Sequence, residues 1–134
     1  MEITPGIESL VNLAIMEDYS SGDATTEALI PSEQAGHATI VSDEDGVLSG
    51  IDLALFVFLK FDKTLSTNVL VDDGSELTKG TRIAEINGSL GSILTAERTA
   101  LNFLRKLSGV ATETSKYVAA VKGTRARIVD TRKT

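Results

Sequence analysis

The segment that most constrains the fold is Ile51 to Phe61, an almost wholly apolar run with Asp52 near its start. Its uninterrupted core, Leu53 to Leu59, is far too short to span a bilayer, so it must be buried by protein. The length and the position of Asp52 favour a buried helix, although periodicity alone leaves a strand open. Whatever the rest of the chain forms has to wrap this element. At 134 residues there is enough chain for one domain with a real core.

The flanking segments carry turn chemistry. Ala38-Thr39-Ile40-Val41 and Gly46-Val47-Leu48-Ser49 lie either side of the acidic turn Asp43-Glu44-Asp45-Gly46 and predict a hairpin. Val69-Leu70-Val71 and Ile83-Ala84-Glu85-Ile86 predict two further strands, set off by Asp72-Asp73-Gly74 and Lys79-Gly80. The middle of the chain is thus expected to be an antiparallel sheet of about four strands within residues 36–90. Helices are expected at both ends. Thr4-Pro5 is a capping hydroxyl followed by proline at a first helical position, and Ile7, Leu10, Val11, Ala14 and Ile15 recur at helical spacing to about Asp18. Ser92 to about Leu107 places Ala96, Ala100, Phe103, Leu104 and Leu107 on one face, with Arg98, Asn102 and Arg105 opposite. Gly109 is expected to end that helix, a further helix runs from about Ala111 to Lys122, and Ala126 to Val129 resembles a strand beginning. The fold class is therefore α+β.

Cysteine is absent, which excludes a disulfide framework, a thiolate metal site and a thiol nucleophile and makes a reducing cytoplasm the simplest location. The net charge of −6 argues against a nucleic-acid partner, and neither a targeting segment nor a membrane span is evident. That total conceals an asymmetry. Met1 to Glu97 holds 4 Lys/Arg against 17 Asp/Glu, whereas Arg98 to Thr134 holds 9 Lys/Arg against 2 acids. A basic C-terminal third on an acidic body can draw a small anion to one place. Most of these nine cations are solvated helix faces on general grounds, and Arg98, Asn102 and Arg105 alone read as an ordinary polar face.

Three segments carry more information: Glu17-Asp18-Tyr19-Ser20-Ser21-Gly22-Asp23-Ala24-Thr25-Thr26, the run Ala96 to Thr112 containing Glu97-Arg98-Thr99 and Leu107-Ser108-Gly109, and Asp130-Thr131-Arg132-Lys133-Thr134. In this order and spacing they resemble the quinolinate phosphoribosyltransferases, also called carboxylating nicotinate-nucleotide pyrophosphorylases. The resemblance runs from about Glu17 to the last residue. It implies a hammerhead-like N-terminal domain over residues 1–123, and in residues 124–134 the first strand of a catalytic α/β barrel whose remainder lies beyond the chain.

The activity implied is transfer of phosphoribosyl from phosphoribosyl pyrophosphate to the quinolinate nitrogen, with release of pyrophosphate and carbon dioxide and formation of nicotinate mononucleotide. By resemblance, Arg98 serves the quinolinate site of a neighbouring subunit, which implies a homodimer or higher homo-oligomer, and Thr131, Arg132 and Lys133 contact the quinolinate carboxylates. Arginine suits that task, because two adjacent carboxylates call for planar, always-charged, bidentate donors. The Mg2+ implied for the pyrophosphate would be held by the rest of the barrel, so these residues alone are expected to be inactive.

Glu17, Asp18 and Asp23 could hold a metal or act as acid and base, but at a helix end and a glycine turn they suit a structural role, with Asp23 capping the next segment. His37, the single histidine, has no partner evident in the sequence. The stretch Val71 to Ile86 also looks like half of a biotinyl or lipoyl carrier, which would need a modifiable lysine at a hairpin tip; neither Lys60 nor Lys63 is so placed. A related pyrophosphorylase acting on another anionic base shares parts of these motifs.

Overall fold

A computed structural model describes residues 2–19, 31 and 34–131 of the 134-residue chain. Among the described residues, two long helices and one short one pack with two small antiparallel sheets. In chain order these are α1 (Pro5–Tyr19), β1 (Ala35–Val41), β2 (Gly46–Val47), α2 (Ile51–Phe61), β3 (Ser66–Val69), β4 (Glu76–Leu77), β5 (Arg82–Ser89) and α3 (Leu90–Ala120).

The apolar run is indeed a helix, α2. Ile51, Leu53, Ala54, Leu55, Val57 and Phe58 are buried around its circumference, as a helix apolar on all sides requires. Each large side chain so buried contributes about 1.5–3 kcal/mol of transfer free energy, which makes α2 the centre of the core. Its start is fixed by Gly50, whose φ of 93° lies in the left-handed region and whose Cα has the Leu107 side chain against it; a Cβ there would lie 2.4 Å from Leu107 Cδ1.

The α1 helix begins as its cap predicts: Thr4 Oγ1 accepts the Ile7 N–H at 3.4 Å and Thr4 O accepts Glu8 N–H at 2.9 Å. Val11 is fully buried, with Ile7 and Ile15 half-buried against the same core. Lys60 of α2 pairs with Glu8, and the Tyr19 ring stands edge-on to Phe61 at 5.9 Å between centroids.

The larger sheet has the order β1-β5-β3, with Ala38 opposite Ile86 and Ile40 opposite Ala84 on its inner face. His37 opposite Asn87 and Thr39 opposite Glu85 make the outer, polar face. The predicted hairpin does not form. β1 pairs with β5, while β2 pairs with β4 in a separate two-stranded sheet. The acidic turn binds the other predicted turn instead: Asp45 Oδ1 accepts Lys79 N–H at 2.9 Å, Ser42 N–H donates to Thr81 O at 2.9 Å, and Ser42 O accepts Gly80 N–H at 2.8 Å. Residues 42–45 thereby carry the chain from one sheet to the other.

Gly109 does not end a helix either; α3 runs unbroken from Leu90 to Ala120. A mid-helix glycine costs about 1 kcal/mol relative to alanine. Here the turns on both sides of it are tied to the chain around β2. Ser108 Oγ accepts the Ser49 N–H at 3.0 Å and donates to Ser49 O, and Thr112 Oγ1 accepts the Val47 N–H at 2.8 Å. These tertiary bonds, one helical turn apart, hold the helix through the weak point.

The strand expected over Ala126–Val129 is not present. Residues 122–131 are exposed and follow a turn closed by Thr124 N–H to Val121 O at 3.0 Å. A lone strand has no neighbour to satisfy its backbone groups. Asp23, Thr25, Thr26, Arg132, Lys133 and Thr134 lie outside the described residues.

Candidate functional site

Helix α3 presents the predicted cation. It starts at Ser89, whose Oγ accepts the Ser92 N–H at 3.3 Å, and it buries Ile93, Ala96, Thr99, Ala100 and Leu104. That pattern fixes which side faces the core, and so leaves Arg98, Asn102 and Arg105 exposed at spacings of four and three. Arg98 makes no hydrogen bond or ion pair among the described residues, so nothing in the fold consumes its guanidinium.

The next residue, about 100° round the helix from Arg98, is Thr99, at 2% exposure the one buried polar residue among those described. Its hydroxyl donates to Asp18 Oδ2 at 2.7 Å, joining the end of α1 to α3. The pair lies in a cleft of about 300 Å³ between the two helices, lined also by Glu17, Asn102, Phe103 and Lys106. Asp18 therefore has a structural role, accepting the bond that ties the end of α1 to α3. The sequence offered a signal for this: Thr99 is three residues after Ala96 and one before Ala100, on the buried face, where a hydroxyl needs a partner.

Thr131 is exposed and without regular structure. Arg98 and Ala120 are separated along α3 by about 33 Å, taking about 1.5 Å of rise per residue. Residues 122–131 are all exposed, and no contact among the described residues joins Thr131 to Arg98. A second trough, about 480 Å³, lies along the C-terminal half of α3 between Ser49 and Val118 and is lined mainly by apolar groups.

Two residues set aside in the sequence have structural partners. His37 Nδ1 is 2.6 Å from Asn87 Oδ1, its cross-strand neighbour, and Nε2 is 3.3 Å from Thr39 Oγ1. Lys60 pairs with Glu8 and lies over the Phe56 ring, on a helix and away from any hairpin tip. Among the described residues no three His, Cys, Asp or Glu side chains converge on a possible metal position.

Residues 23–108 match the family described as quinolinate phosphoribosyl transferase, N-terminal domain. A probable nicotinate-nucleotide pyrophosphorylase [carboxylating] of Synechocystis sp. is 41% identical over 120 residues, covering 90% of this chain and 40% of the relative. The carboxylating nicotinate-nucleotide pyrophosphorylase of Mycobacterium leprae is 39% identical over 127 residues, covering 92% of this chain and 45% of its own. Among solved structures, NadC from Streptococcus pyogenes superposes with a TM-score of 0.94 at 38% identity, over 100% of this chain and 48% of the other. The chain thus spans less than half the length of these relatives. With 86 of its 134 residues inside the matched region, the chain belongs to the quinolinate phosphoribosyl transferase N-terminal domain family.

Proposed function

We propose that this domain works as part of an enzyme that transfers phosphoribosyl from phosphoribosyl pyrophosphate to quinolinate with decarboxylation, giving nicotinate mononucleotide in NAD biosynthesis. Its own contribution is Arg98, held out on α3 as a bidentate clamp for a quinolinate carboxylate. The observation that carries this is that Arg98 is exposed and unengaged on a helix whose other face is packed. An arginine fork oriented by a rigid helix is a pre-organised carboxylate receptor.

Thr131, Arg132 and Lys133 are assigned to the same substrate's carboxylates. About 33 Å of α3 separates Arg98 from the end of the helix that leads to them, which favours a site completed by Arg98 of one subunit and the Thr131 segment of another. The protein would then act as a homodimer or higher homo-oligomer with at least two composite sites, in the cytoplasm. The three cations Arg98, Arg132 and Lys133 around a desolvated dianion offset a burial cost that neither subunit offsets alone. The Mg2+ required by the pyrophosphate group has no acidic cluster to hold it among the described residues, so it is assigned to the part of the enzyme beyond this chain.

Subunit mixing tests this. A full-length Arg98→Ala enzyme is combined, under conditions of subunit exchange, with a variant inactivated in the barrel. Heterodimers should regain one site free of both substitutions, and hence activity. No recovery after verified exchange would eliminate the composite site.

A further inference from the structure

We propose that Thr99 and Asp18 are a positioning pair for Arg98, a role that rests on the assignment of Arg98 to the quinolinate carboxylate. Arg98 has no contact of its own that fixes its direction, so its aim depends on the rotation of α3 about its axis. The core-facing positions nearest Arg98 are the small Ala96 and Ala100, and the bulkier buried Ile93 and Leu104 lie a turn or more away along α3. Thr99 supplies what the alanines lack. Its hydroxyl is buried, and a buried donor stays with its acceptor because losing it leaves the group unsatisfied.

The acceptor is itself anchored. Asp18 stands near the end of α1, which is tied to α2 by the Glu8 and Lys60 ion pair and the edge-on contact of Tyr19 with Phe61. The 2.7 Å bond from Thr99 Oγ1 to Asp18 Oδ2 therefore registers α3 against an element that has side-chain ties of its own to α2. Arg98, the adjacent residue, inherits that register. A displacement of about 1 Å in a substrate-holding group can cost on the order of 100-fold in rate, so a bond that fixes helix rotation has functional weight beyond its stability.

The test is quinolinate steady-state kinetics in the full-length enzyme. Thr99→Val keeps the shape and removes the donor, and is expected to raise KM for quinolinate by about tenfold while kcat changes less and KM for phosphoribosyl pyrophosphate stays put. Asp18→Ala, at an exposed position, should do the same. Thr99→Ser and Asp18→Asn each retain the donor or acceptor and should restore most of the loss. Val11→Ala serves as the stability control, since it loosens α1 without touching the pair. A quinolinate KM unchanged in both Thr99→Val and Asp18→Ala, or raised as much in Val11→Ala, overturns the positioning role. Arg98→Ala, measured alongside, separates the two ideas. If it raises the quinolinate KM while the pair variants do not, only the positioning fails; if it leaves KM unaltered, the assignment of Arg98 fails and the positioning with it.

Discussion

The Asp73 carboxylate reaches across the fold to the start of α2, where Oδ1 accepts the Ile51 N–H at 3.0 Å and Oδ2 accepts the Gly50 N–H at 2.9 Å. A helix N-terminus leaves its first N–H groups without intrahelical partners, and glycine at the cap has no side chain to serve them. Asp73 serves them from 22 residues away in sequence, adding a negative charge where the helix dipole favours one. The β-turn of Asp72 to Ser75 and the central helix are thus one unit.

Asp73→Ala should lower stability by about 1–2 kcal/mol, the range for loss of a capping side chain. Asp73→Asn keeps one acceptor oxygen and should lose less. Urea denaturation of the three proteins, with the slope unchanged, reads this directly. Equal midpoints for wild type and Asp73→Ala would show that solvent satisfies these N–H groups as well as the carboxylate does.

How far the sequence foretold this arrangement depended on the range of the interaction that decided each element. Helix α1, with Thr4 and Pro5 at its start, and helix α2, apolar on all sides, are set by local signals and emerged as expected. The hairpin failed because two turns that look independent, Asp43 to Gly46 and Lys79-Gly80, bind one another, and β1 found a longer apolar partner in β5. Gly109 was misleading for a similar reason: Ser108 and Thr112 bond to the backbone of Ser49 and Val47, a tie about 60 residues long in sequence that no local rule contains. The exposed place of Arg98 on α3 was legible from the helical spacing. The bond from Thr99 to Asp18 was only half legible, since the buried hydroxyl announces a need for an acceptor without naming it.

Asp62 gives the fold an acid limb. The Thr64 hydroxyl donates to its Oδ1 at 2.6 Å, the Thr64 N–H at 2.9 Å, and the Ser92 hydroxyl donates to Oδ2 at 2.9 Å. These donors favour the charged form and hold the Asp62 carboxyl below its ordinary value of 3.8. A carboxyl depressed in the folded state stabilises it above the unfolded value, and that contribution disappears as pH falls through the folded one. Thr64→Val removes the largest of the three influences. Its deficit in unfolding midpoint relative to wild type should be present near neutrality and shrink below about pH 4, as Asp62 becomes protonated in both proteins. A deficit that stayed constant to the lowest accessible pH would mean that the threonine contributes through packing alone.

Substitution of Arg98 should separate function from stability. An exposed side chain without partners contributes little to folding, so Arg98→Ala should shift stability by no more than about 0.5 kcal/mol. Loss of a charged hydrogen-bonding contact to substrate costs about 1.5–3 kcal/mol, or roughly 10- to 100-fold in quinolinate affinity. Arg98→Lys keeps the charge without the planar fork and should recover only part of the loss. Full recovery by lysine in the full-length enzyme would mean that Arg98 acts as a point charge.

The 134-residue chain alone should bind quinolinate weakly and should not turn it over. Arg98 projects from the N-terminal third of α3, about 33 Å along the axis from the helix end that leads to Thr131, and no described contact draws the two together around one dianion. The chain also has no acidic cluster among its described residues to organise a metal against pyrophosphate. Each missing contact to a desolvated carboxylate costs about 1.5–3 kcal/mol, so lacking two or three weakens binding by on the order of 100-fold or more. Calorimetric titration of quinolinate into this chain and into a full-length enzyme, side by side, measures the gap. The longer protein should bind and turn over together, whereas the short one should show heats close to those of dilution. Micromolar binding to the short chain would mean that Arg98, Arg132 and Lys133 already form a complete receptor, either within one protomer or across a dimer of this domain, and the dependence on the remainder of the enzyme would have to be given up.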